Sequence, residues 1–216
     1  MHIAILTFQG FNELDSLIAL GVLNRIKRPA WRVTICCPEP QVTSMNGVTI
    51  QAQSMLEVSA SADAVVVGSG LQTREIVNTP SIMNRLSLRP ERQLIASQCS
   101  GTLILAKLGL LEDVPACTDL TTKPWVQEAG VEILNQPLFA CGNVATAGGC
   151  LASAYLAGWI IARLEGVKAA TEALHYVAPV GEKEDFVANA LKNIIPYLPQ
   201  TPPNNSFKPM PLRGTA

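Results

Sequence analysis

Gln93-Leu94-Ile95-Ala96-Ser97-Gln98-Cys99-Ser100-Gly101-Thr102-Leu103-Ile104-Leu105-Ala106-Lys107-Leu108-Gly109 decides the fold. Leu94-Ile95-Ala96 is a short apolar run of the kind that forms a buried strand, and residues 102–108 are helix formers. Ser97 and Gly101 lie two residues before and two after Cys99, supplying the small side chains that a sharp strand-to-helix corner needs. A cysteine at such a corner stands clear of the sheet edge, facing the amides of the following helix. The positive end of that helix favours thiolate over thiol. The segment predicts a nucleophile elbow at Cys99; the alternative is a small buried apolar side chain.

The same alternation of apolar runs and helical patterns extends to both sides. Residues 2–8, 32–37 and 64–67 read as strands, and residues 12–26 as a helix carrying Leu14, Leu17, Ile18, Val22 and Ile26 at helical spacing. Asn46-Gly47 marks a hairpin within residues 42–51. Residues 73–88 read mostly as helix, residues 131–134 and 137–145 as a β-addition turning at Gly142-Asn143, and residues 150–164 and 169–177 as further helices. Strands alternating with helices predict an α/β flavodoxin-like sandwich, a mostly parallel sheet with helices on both faces. One domain over residues 1–195 is expected, followed by a Pro-rich tail over residues 196–216.

Composition narrows the function. The 216 residues are 48% apolar with a net charge of −1, ample for a core and without the basic cluster that nucleic acid binding requires. No apolar segment reaches the roughly 18 residues of a membrane span. The N-terminus opens on a strand, so no secretory leader is expected and the cytoplasm is the expected location. The six cysteines read as reduced thiols, and with only His2 and His175 available no metal is expected. Both histidines read as structural.

In a parallel sheet the active site lies outside the carboxyl ends of the strands, where Gly68-Ser69-Gly70, Cys99 and residues 9–15 converge. Cys99 is the candidate nucleophile. The Gly70 backbone N–H, with Ser69 beside it, is the candidate oxyanion donor. Asp15 and Glu13 both sit in a first helical turn, where carboxylates commonly do no more than complement the dipole. Only one of the two can point inward. Asp15, beside Leu14 and one turn before Ile18, is chosen as acid/base; Glu13 is the secondary candidate.

The pattern Phe8-x-x-Phe11-x-Glu13-Leu14-Asp15, then Val65-Val66-Val67-Gly68-Ser69-Gly70, then Ala96-Ser97-Gln98-Cys99-Ser100-Gly101-Thr102, resembles the ThiJ/PfpI family of the class I glutamine-amidotransferase-like superfamily. Asn143-Val144-Ala145-Thr146-Ala147-Gly148-Gly149 is similar to a later block of that family. Within the family the similarity is greatest to isonitrile hydratases. It implies Cys99 as nucleophile, Asp15 as proton carrier, Ser100 with Ser69 and Gly70 at the substrate, no cofactor, a small-molecule substrate and a homodimer.

Where protease-like relatives place a histidine after the cysteine, this chain has Ser100. Where many relatives carry a histidine after the elbow helix, it has Asp119, a further candidate. Cys150 stands after the glycine pair, where a thiol is unusual; near Cys99 it would permit a disulfide. The implied reaction adds water to an isocyanide to give an N-substituted formamide. The alternatives are a redox sensor and a ligand-sensing protein of the same fold.

Overall fold

A computed structural model describes residues 1–199. In chain order its elements are β1 (His2–Leu6), α1 (Glu13–Leu23), β2 (Arg32–Cys37), β3 (Gln41–Thr43), β4 (Thr49–Gln51), β5 (Ser54–Met55), β6 (Ala64–Val67), α2 (Thr73–Ile76), α3 (Pro80–Met83), β7 (Leu94–Gln98), α4 (Gly101–Lys107), α5 (Lys123–Glu128), β8 (Leu138–Cys141), β9 (Val144–Ala147), α6 (Ser153–Glu165), α7 (Val167–Val177) and α8 (Lys183–Ile194). The main sheet runs β5-β2-β1-β6-β7-β9-β8, all parallel except the edge strand β8. The separate hairpin of β3 and β4 turns at Asn46-Gly47 as expected. The architecture is the flavodoxin-like α/β sandwich that the alternation predicts.

Strand residues alternate between two cores. Ile3, Ile5, Val66 and Ala96 face a layer containing α1, α6, α7 and α8, whereas Ala4, Leu6, Val65, Val67 and Ile95 face α4 and its neighbours. Covering both faces explains why these strands are apolar throughout. The chain crosses from one side of β1 to the other between β2 and β6, and the loops at that switch point leave a crevice at the carboxyl ends of the strands.

Several expectations are corrected. Residues 73–88 form two four-residue helices, because Pro80 drives Thr79 out of the helical region (φ −108°, ψ 96°). Residues 131–134 contribute only an isolated bridge between Ala116 and Ile133. Leu14 and Leu17 are 51% and 38% exposed, so neither is core. Helix α1 instead buries Asp15, Ser16, Ala19, Val22 and Leu23, a face of mostly small residues that packs closely on α6.

The sequence reading passed over α8, although Phe186, Val187, Ala190, Leu191 and Ile194 carry the helical period that would have shown it. The chain then makes a 3-10 turn over Ile195–Tyr197, where the Tyr197 ring meets Phe139 edge-on and its carbonyl accepts from the Trp159 indole. The Pro-rich stretch from residue 200 onward lies outside the described residues.

Candidate active site

The elbow is built by close backbone approach. Cys99 has φ +45°, a left-handed conformation for a non-glycine residue, which costs on the order of 1–3 kcal/mol. Its N–H donates to the Ala147 carbonyl and its carbonyl accepts from the Thr118 hydroxyl, so both flanking chains hold it there. A Cβ at Gly101 would stand 2.5 Å from the Val67 carbonyl oxygen, and one at Gly70 would stand 2.5 Å from that of Gly10. Glycine at these two positions lets the three site loops meet.

Asp15 reaches the elbow from α1 and is fully buried. Its Oδ2 accepts from the Ser69 hydroxyl, while its Oδ1 has no hydrogen-bond partner. The acceptor atoms of Asp15, Cys99 and Cys150 lie within 4.8 Å of one another. Burial pushes the Asp15 carboxyl toward its neutral form, outweighing the Ser69 hydrogen bond and the two nearby thiols, which favour the anion.

Cys99 is likewise pushed well above the ordinary thiol range, first by burial and then by the charges of Asp15 and Asp119. Cys150 is raised by burial and by Asp15. This corrects the expectation of a dipole-stabilised thiolate. The elbow amides act at the end of a seven-residue helix, and desolvation beside two carboxyl groups outweighs them.

Ser100 and Gly70 meet in an unexpected way. The Gly70 N–H donates to Ser100 Oγ at 3.0 Å, and Ser100 Oγ lies 2.7 Å from Thr73 Oγ1. The Gly70 amide predicted to face an oxyanion is therefore occupied by the hydroxyl of another predicted site residue, and Thr73 completes that knot. Ser69, expected to touch substrate, lines the crevice and also orients Asp15.

Two secondary candidates are engaged in loop contacts. Glu13 accepts from the Ser44 hydroxyl and, at 2.9 Å, from Asn46 Nδ2, tying α1 to the hairpin tip. Asp119 accepts the Thr121 and Thr122 N–H groups at 2.9 and 3.0 Å and the Thr122 hydroxyl at 2.6 Å, which holds the loop that enters α5. Its carboxylate is committed to that loop although the residue lines the pocket. Sequence reasoning missed Gln98, whose Nε2 lies 3.6 Å from Cys99 Sγ, and Asn12, whose Nδ2 lies 3.3 Å from Cys150 Sγ. Gln98 precedes the cysteine and Asn12 caps α1, so both were open to view as polar residues flanking a site loop.

The crevice has a volume of about 260 Å³. Cys99, Ser100 and Cys150 line it, and Met45, Leu71 and Trp125 form its apolar wall. Among the described residues no arginine, lysine or histidine lines it. His2 bonds to Thr34 and Arg32, and His175 lies on α7 beside Glu184, so neither reaches the site. Asp15, Cys99 and Cys150 are the described residues that could together ligate a metal ion. Among the described residues no helix is long and apolar enough to cross a membrane.

Several solved structures share this fold. A ThiJ/PfpI family protein from Pseudomonas syringae matches with TM-score 0.72 at 18% identity, over 90% of this chain and 87% of that one. DJ-1beta of Drosophila melanogaster matches with TM-score 0.69 at 21% identity, over 82% and 96%. Oxidized Toxoplasma gondii DJ-1 matches with TM-score 0.70 at 16% identity, over 82% and 97%. No curated protein matches the chain in sequence. The sequence profile of the DJ-1/PfpI family covers residues 1–163, the segment that contains β1, the Gly68–Gly70 loop, the elbow and the start of α6, and on that match the chain belongs to the DJ-1/PfpI family.

Proposed function

We propose that the protein is a cysteine-dependent hydratase or hydrolase of a small electrophilic carbon, with isonitrile hydration as the reaction: isocyanide plus water to an N-substituted formamide. The family includes both enzymes and redox-sensing proteins. The observation that carries the enzymatic reading is the placement of the buried Asp15 carboxyl against Cys99 Sγ, with Ser69 fixing its other oxygen.

A carboxyl that burial pushes toward its protonated form, set beside a thiol, suits a reaction that begins with proton donation. Asp15 protonates the terminal isocyanide carbon, giving a nitrilium carbon. Cys99 sulfur adds to that carbon and its thiol proton passes to the Asp15 carboxylate, leaving a thioimidate and a protonated Asp15. Water adds to the same carbon with the carboxyl group relaying its protons, the carbon–sulfur bond breaks, and the formamide leaves with Cys99 restored as a thiol. Every atom of R–NC and H2O is in the product, so no cofactor enters the balance. Ser100 and the Gly70 loop shape the substrate end of the crevice.

A redox sensor requires an exposed thiolate, and the buried, raised thiol of Cys99 speaks against that alternative. A homodimer belongs to the proposal. Leu14, Leu17 and Leu151 point outward from α1 and the adjoining turn, an apolar surface suited to a second copy. Incubation with a para-substituted phenyl isocyanide, with formamide followed by chromatography, tests the reaction. Turnover in the wild type that is lost in Cys99→Ala and Asp15→Asn is the expected result. A wild type that produces no formamide while its thiol remains reactive overturns the substrate.

A further inference from the structure

The site gathers acids without a base. Asp15 comes from α1, Cys99 from the elbow after β7, and Cys150 from the 3-10 turn Cys150–Ala152. Their ligand atoms lie within 4.8 Å of one another, and among the described residues no cationic side chain lines the crevice. Asp15 Oδ1 is an acceptor in a fully buried residue and has no donor. A buried acceptor without a donor has given up its hydration and gained nothing in return. A cation seated among the three groups would satisfy that oxygen and neutralise both sulfurs.

The donor set selects the ion. Thiolate ligands favour soft or borderline metals, whereas magnesium and calcium take oxygen donors. Zinc–sulfur bonds are about 2.3 Å, so two sulfurs on one tetrahedral ion stand about 3.8 Å apart. That spacing lies within an ångström of the upper limit found here, a shift that side-chain rotation can supply. Cys99 and Cys150 both line the crevice, which gives an ion a route from solvent. Asn12 Nδ2 and Gln98 Nε2 already donate to Cys150 and Cys99 sulfur respectively, as outer partners of metal-bound thiolates do.

We propose that Asp15, Cys99 and Cys150 bind one soft divalent cation of the Zn2+ or Cd2+ class, in competition with substrate. Binding displaces the protons of the two thiols, one from each sulfur, and needs no oxidant. Bound metal occupies the Cys99 sulfur and silences it as a nucleophile. The spacing of residues 15, 99 and 150 gives no sequence signal, which is why no metal was expected from the histidine count.

Titration of the full, chelator-treated, reduced chain with Cd2+ tests the site through the ultraviolet thiolate-to-cadmium band, a readout independent of hydratase activity. The expected result is one saturable equivalent in the wild type and in Cys141→Ser, which removes the exposed cysteine. Loss of an outer-shell partner alone weakens metal binding roughly 10–100-fold. Cys99→Ser and Cys150→Ser should each weaken it by at least that factor and shrink the band.

Zn2+ should also slow iodoacetamide labelling of Cys99 and Cys150, but not of Cys141, in wild-type protein. This second measurement decides the matter if a variant fails to fold. Wild-type affinity in both serine variants, loss of binding in Cys141→Ser, or no shielding of Cys99 and Cys150 would each overturn the site.

Discussion

The Ser69 hydroxyl donates to Asp15 Oδ2 across 54 residues of chain, joining the loop after β6 to the first turn of α1. The bond fixes which way the carboxyl faces. Ser69→Ala leaves that oxygen buried without its donor, which should destabilise the fold by about 1–3 kcal/mol. Denaturant unfolding measures that loss. In the hydratase assay, kcat should fall more than KM rises, since the substrate still enters a crevice of the same shape.

Cys99 should behave as a weak acid. Its thiol is raised by burial and by two neighbouring carboxyl groups. Its rate of alkylation by iodoacetamide should therefore keep climbing at a pH about two units above the ~8.5 pKa of an ordinary thiol, where that thiol has levelled off. Asp15→Asn removes one of those charges and should speed alkylation at pH 8. After mild peroxide, mass spectrometry should find Cys99 mainly as a thiol. The sign for stability follows from linkage: above the unfolded pKa the unfolded chain releases its proton first, so this group's contribution to stability declines as the solution becomes more alkaline.

Gly101→Ala should be poorly tolerated. Its Cβ would sit 2.5 Å from the Val67 carbonyl oxygen, a backbone atom that cannot swing aside. Overpacking of this kind costs typically about 1–3 kcal/mol. Thermal unfolding should show the loss, and activity should fall further than stability because the displaced segment carries Cys99.

Glu13 acts through the hairpin. It grips Ser44 and Asn46, and between them Met45 forms part of the apolar wall. Glu13→Gln loosens that grip and should raise KM for an aryl isocyanide while turnover at saturation stays unchanged. An equal fall in both would show that Glu13 belongs to the chemistry instead.

Substrate charge should matter. Asp119, Cys99 and Cys150 line the crevice with Asp15 close behind the two sulfurs, and among the described residues no cation lines it. A carboxylate-bearing isocyanide should react with a much higher KM than a neutral aryl one, and added salt should narrow the gap by screening.

The elbow, the parallel core strands and the convergence of Asp15, Ser69, Gly70, Ser100 and Cys99 were legible because each depends on local pattern and on the general rule for parallel sheets. What Ser69 and Ser100 bond to was not, since hydroxyl rotamers follow from loop contacts far apart in sequence. The outward turn of Leu14 was hidden for a similar reason: helical periodicity names a face, and packing on α6 decides which face is covered. Helix α8 was legible and overlooked. The raised thiol of Cys99 needed coordinates, because burial and neighbouring charge cannot be summed from a motif.

The left-handed backbone at Cys99 has a bearing on how this chain can change over generations. A glycine there would relieve a steric penalty of roughly 1–2 kcal/mol that any L side chain pays in that conformation. Thermodynamics alone thus pulls position 99 away from cysteine, and only a use for the sulfur opposes that pull. Lineages that abandon the chemistry should drift to glycine at the elbow, becoming sturdier and inert in a single substitution.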